Sequence, residues 1–170
     1  MQTTALKLYS LKFNDTGTYL IATLFVAGNI VLPQIFHLIP QGGIIFLPIY
    51  FFTLIGAFKY GPIVGLLTAV LSPLVNNLLF GMPATEVLPS ILLKSVLLAT
   101  ISGIAANYYK KLSVLVLISV VLTYQIIGTF GEWLFSGSLY LSLQDFRMGI
   151  PGMLLQVFGG YVFVRYLIRK

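Results

Sequence analysis

Six apolar stretches, each long enough to form a helix, alternate with short links along the 170 residues. A hydrocarbon core of about 30 Å takes about 20 apolar residues per helical crossing, so six crossings use about 120 residues and leave only tight connections. The pattern predicts helices over 17–32, 43–58, 62–80, 87–108, 112–135 and 146–167. The fold class expected is therefore all-α: a six-transmembrane-helix bundle forming one integral membrane domain, 1–170, with no soluble domain. The link LPQIFHLIPQGG, with two prolines and two glycines, is expected to be irregular. Pro48 should break or kink the second helix and Pro73 should bend the third. Pro89 falls in the first turn of the fourth, where a missing N–H is tolerated.

Charge assigns an orientation to that bundle. Lys7 and Lys12 precede the first stretch, Lys59 follows the second, Lys110 and Lys111 follow the fourth, and Arg165, Arg169 and Lys170 close the chain. The intervening links hold His37, Glu86 and Asp145, with Arg147 their sole basic residue. Under the positive-inside rule this places both termini in the cytoplasm and three links outside. The net charge of +6 is thus an anchoring pattern and not a nucleic-acid footprint. A chain that is 58% hydrophobic and 8% charged, with mean hydropathy +0.99, is excluded from the soluble class. The first fifteen residues lack the long apolar core and small-residue cleavage site of a secretory signal. Leu6, Tyr9 and Phe13 fall at helical spacing and suit a short interfacial segment.

Small residues mark close helix contacts: Gly61 with Gly65, Ala99 with Gly103, and Thr23 with Ala27 and Gly28. In a multi-span chain such faces serve first for packing within the bundle. Polar residues inside the apolar stretches lie mostly toward the outer ends. Asn76 and Asn77 end the third helix, Lys94 lies about 10 Å below the outer end of the fourth, and Glu132 lies one turn inside the fifth. Arg147 opens the sixth, while Gln125 and Gln156 are nearer the middle. This asymmetry describes a cup above a dry floor, unlike a pore lined throughout. Lys94 is the costliest of these residues to insert, and its side chain leans toward the helix N-terminus and so toward the cup. Gln125, Gly128 and Glu132 share one face of the fifth helix, with space in front of Gly128 for a ligand or a neighbouring helix. Lys94 and Glu132 either hold a polar solute, with Trp133 and Tyr124 stacking on it, or pair with each other; both hold if a ligand inserts into the pair. Asn76 and Asn77 suit helix–helix hydrogen bonds or ligand contacts.

Several chemistries have no residues to support them. The absence of cysteine removes disulfides and thiol catalysis, and His37 has no companion for a metal site. No phosphate-cradling glycine loop, HExxH or GxSxG motif occurs. No enzyme, catalytic residue, metal or cofactor is expected, and uphill movement of a solute would need a partner to supply energy.

The segments KYGPIVGLLTAVLSPLVNNLLFGMPATEVLPSILLK (59–94) and MGIPGMLLQ (148–156), together with the layout, resemble the substrate-binding S components of energy-coupling factor (ECF) vitamin transporters. The resemblance implies a multi-pass protein of the bacterial plasma membrane, binding a vitamin or related micronutrient from outside and working with a membrane T component and two cytoplasmic ATPases. It further implies a gate over Leu32–Gly43, with Gln34, Phe36 and His37, and partner docking through Thr23, Ala27 and Gly28. Ligand residues implied are Lys94, Gln125, Glu132 and Arg147, beside the candidates Asn77, Trp133 and Tyr124. A small polar heterocycle suits such a site. The competing class is a membrane scaffold of MreD-like type, with no small-molecule ligand.

Overall fold

A computed structural model describes residues 11–169. Leu6, Lys7, Tyr9 and Lys170 lie outside the described residues; Phe13 is exposed in a turn before the first helix. The elements are α1 (Thr16–Phe36), α2 (Gly42–Phe46), a 3₁₀ turn (Pro48–Tyr50), α3 (Phe51–Tyr60), α4 (Pro62–Phe80), α5 (Leu88–Tyr109), α6 (Val114–Ser136), α7 (Leu139–Ser142), α8 (Gln144–Met148), α9 (Ile150–Leu154), a π-helical turn (Leu155–Gly159) and α10 (Gly160–Arg169). Among the described residues, five helical segments are long and apolar enough to cross a bilayer: α1, α4, α5, α6 and the run Ile150–Ile168. Their outward faces carry Leu20, Leu24, Val31, Leu115, Ile126 and Phe130, all more than half exposed. Water does not tolerate such faces at this density, and lipid does. The chain is an all-α membrane protein.

Helix limits differ from the sequence reading where prolines lie. α1 continues past Leu32 to Phe36, with Pro33 inside it, so the link expected to be irregular is helical at both ends and turns only over residues 37–41. Pro33 has no N–H to donate to the carbonyl of Asn29. That carbonyl instead accepts from Asn76 Nδ2 of α4 at 2.9 Å. A neighbouring helix thus repairs the proline defect, and α1 keeps its last turn.

The second stretch is not one helix. It comprises α2, the 3₁₀ turn and α3, broken at Leu47-Pro48, and Leu47 adopts a left-handed φ of 47°. These pieces run back along α1: Phe36 stacks on Phe46, Asn29 reaches Thr53, and Phe25 meets Tyr60. The sixth stretch is also interrupted, first at Gly149 and then by the π-helical turn. Gly81 and Gly137, both with φ 66°, end α4 and α6 by donating to Asn77 O and Trp133 O.

Small residues act inside the bundle. A Cβ on Gly65 would lie 2.3 Å from Ala57 Cβ, and one on Gly103 would lie 2.8 Å from Pro62 Cβ. α3 meets α4, and α4 meets α5, at backbone distance there. Lys12, Lys110, Lys111 and Arg165 are exposed at one end of the bundle, while the 37–41, 81–87 and 137–149 links gather at the other. Lys59, expected in an exposed basic link, is 3% exposed in the last turn of α3.

Candidate functional site

The link-bearing end without the lysine cluster encloses two adjoining chambers. The first, of about 190 Å³, is lined by Tyr50, Ser90, Lys94, Glu132, Gln144 and Asp145 along its polar side. The second, of about 290 Å³, is lined by Pro33, His37, Pro48, Asn76, Met82 and Pro83 among others. Gly43, Ile44, Ile49, Val87 and Ile91 belong to both walls.

Lys94 projects from α5 into the first chamber and is 3% exposed. Its ammonium pairs with Glu132 Oε2 of α6 at 2.5 Å and with Asp145 Oδ2 of α8 at 2.8 Å. Gly128 makes the arrangement sterically feasible, because a Cβ there would stand 2.6 Å from Lys94 Cγ. The space in front of Gly128 is thus occupied by the Lys94 stem. An ammonium has three protons to place, and two carboxylates on separate elements hold it centrally. The Lys94–Glu132 pair, one of the two roles the sequence left open, is present, and it borders an open chamber.

Asp145 is the residue the sequence reading missed as a partner. It lies 51 residues from Lys94, and no helical spacing relates them; only the tertiary placement of α8 brings its carboxylate to the Lys94 ammonium. The break at Gly149 permits that fold, since a Cβ there would lie 2.6 Å from Asp145 O and 2.8 Å from Leu47 Cδ1.

The other candidates distribute unevenly. Tyr124 is fully buried behind the chamber, where its ring meets Tyr50 at 5.8 Å. Its hydroxyl donates to Gln156 Oε1 at 2.8 Å and accepts from Gln125 Nε2 at 3.1 Å. Tyr124, Gln125 and Gln156 thus form a buried polar layer under Tyr50, and Tyr124 presents no face for a solute to stack on. Below that layer lie Leu54, Phe58, Leu98, Leu117 and Val164, all at 0% exposure. Trp133 is 39% exposed and packs edge-on against Phe130, outside both chamber walls. Asn77 donates to Pro83 O at 2.7 Å and tethers the 81–87 link. Arg147 is exposed, with its guanidinium carbon 3.9 Å from the Tyr140 ring centre and its nitrogens bonded to Tyr140 O and Oη. It borders a recess with Gln41 and Tyr140 that shares Ile44 and Gln144 with the first chamber.

Of the expected gate residues, His37 lines the apolar chamber, Phe36 stacks on Phe46 at 4.6 Å, and Gln34 is half-buried. Thr23 and Ala27 are exposed on α1, and Gly28 lies against the Phe52 ring. A second network escaped sequence reading. Asn29, fully buried, donates to Thr53 Oγ1 and Ser72 Oγ and accepts from Phe52 N, joining α1, α3 and α4. Among the described residues, no group of three His, Cys, Asp or Glu side chains is placed to hold a metal ion.

Comparison of the chain with protein-family models, with characterised proteins and with solved structures finds no match.

Proposed function

We propose that this chain is the solute-capturing membrane subunit of an ECF-type importer, with six passes, both termini in the cytoplasm, and its chambers open to the outside. The solute is a vitamin or related micronutrient. A membrane T component and two cytoplasmic ATPases deliver it inward, in keeping with a sequence that has no phosphate-cradling glycine loop. The observation that carries this reading is the chamber walled by Lys94, Glu132 and Asp145 above a close-packed lower half. Such a shape holds a solute and offers it no route through. Polar side chains converging on a concave apolar site are the ordinary chemistry of ligand capture. The second pass is then the broken run 42–60, and the exposed α1 face at Thr23 and Ala27 serves for docking on the T component.

Mass spectrometry of the protein withdrawn gently from native membranes tests the proposal. A bound small molecule, released by Glu132→Gln, and co-purifying ATPase subunits are expected. Recovery of a stable protein partner with no small molecule would favour a scaffold of the MreD-like kind and overturn the capture reading.

A further inference from the structure

We propose that the solute held in these chambers is a small amphiphilic monocation: a protonated amine, an amidinium or an aromatic onium group attached to a compact apolar body that carries one hydrogen-bond donor. This rests on the solute-capture reading and narrows it.

The charge count of the polar chamber is the first support. Lys94 contributes one positive charge, and Glu132 and Asp145 contribute two negative charges around it. The nearest guanidinium in sequence, that of Arg147, is exposed and engaged with Tyr140. One negative charge is therefore uncompensated at the wall. The two carboxylate side chains keep 18% and 14% of their exposure, so water can reach them while the chamber is open. A solute filling the chamber displaces that water. Stripping an unpaired carboxylate of water is unfavourable unless the incoming group brings a positive charge. A neutral solute would leave the excess in place, and an anion would add to it.

The second support is the neighbouring chamber. Its walls are mostly proline, isoleucine, valine and methionine side chains, with His37 and Asn76 among them, and it is continuous with the polar chamber through Ile44, Ile49 and Ile91. One polar atom there is unanswered. Asn76, 1% exposed, gives its Nδ2 to two carbonyl oxygens, Asn29 O and Ser72 O, which identifies Oδ1 as the acceptor. Asn76 Oδ1 has no hydrogen-bond partner. Asn76 belongs to that chamber's wall, and a buried acceptor left without a donor is answered by one on a solute that reaches it. The two chambers together thus specify a cation at one end and an apolar body with a donor at the other.

Three probes with one shared apolar body test the charge: 2-phenylethylamine, 2-phenylethanol and phenylacetate, titrated at constant ionic strength into the purified full chain in detergent and followed by calorimetry. The amine is expected to bind at least about tenfold tighter than the alcohol, the scale of one charge-assisted hydrogen bond, with phenylacetate weakest. Asp145→Asn neutralises the excess charge and should abolish the preference for amine over alcohol. The wild-type ranking decides the matter even where that variant folds poorly. Alcohol or phenylacetate binding as tightly as the amine overturns the monocation while leaving solute capture standing, as does a co-purified neutral or anionic molecule that Lys94→Met releases. Silence from all three probes, with no molecule co-purifying from native membranes, removes both.

Discussion

Lys94→Met keeps the length and apolar stem of the side chain and deletes only the cation shared by Glu132 and Asp145. Removing one member of a buried ion pair costs about 3–5 kcal/mol when the remaining charge is fully desolvated. Both carboxylates retain some exposure, 18% and 14%, so the lower end, about 3 kcal/mol, is expected. Their oxygens lie 2.5 and 2.8 Å from one nitrogen, hence no more than about 5 Å apart. At an effective dielectric near 20, two bare charges at about 5 Å repel by about 3 kcal/mol. Asp145→Asn alone should cost less, about 1–2 kcal/mol, because Lys94 keeps Glu132. In the Lys94→Met background the same change should stabilise, by about 1 kcal/mol or more, because it relieves the repulsion. Unfolding in mixed micelles with increasing dodecyl sulfate measures this, with the fluorescence of Trp133, next to Glu132 on α6, as the signal. A double variant as unstable as the sum of the single ones would refute the shared-cation geometry.

Asn76→Ala orphans the Asn29 carbonyl and should destabilise by about 1–3 kcal/mol; the loss should shrink in a Pro33→Ala background, where residue 33 regains an N–H for that carbonyl, and a double-mutant cycle in the same micelle titration checks it. Gly65→Ala drives a methyl into Ala57 at 2.3 Å and should cost about 1–3 kcal/mol, whereas Gly17→Ala, with nothing within 4 Å, should leave the unfolding midpoint unchanged or raised. Gly128→Ala should displace the Lys94 stem and weaken solute binding about tenfold or more, read by calorimetry against whichever molecule co-purifies. Trp133→Phe, outside both chambers, should leave that affinity within about twofold.

The legible parts of the site were those carried by one helix. Gln125, Gly128 and Glu132 share a face because a helix advances 3.6 residues per turn, and Lys94 was conspicuous because a cation in an apolar stretch needs a partner. Asp145 and Asn29 were not legible in the same way. An aspartate in a polar link has solvent as its default neighbour, and an asparagine in an apolar helix does not announce which of its neighbours it bonds. Tyr124 was misplaced for a related reason. Its position on α6 was right, but only the π-helical turn that delivers Gln156 decides that its hydroxyl points into the protein and away from any solute. Pro33 was read as ending a helix, since the local rule has no knowledge of an asparagine arriving from α4.

Apolar stretches of bilayer length, and lysines and arginines gathered mostly in alternate links, are one-dimensional properties. They determined that this chain is a helical membrane protein and where its long apolar helices lie, because an apolar run of about 20 residues can cross hydrocarbon with its backbone bonded within one helix. Which charges meet is three-dimensional. Whether Lys94 answers to one carboxylate or two, whether a chamber remains beside the pair, and how the proline-broken stretches close on α1 and α6 depend on side chains tens of residues apart. Tertiary packing alone decided these, because an unpaired charge or carbonyl away from water must find its partner wherever the fold brings one.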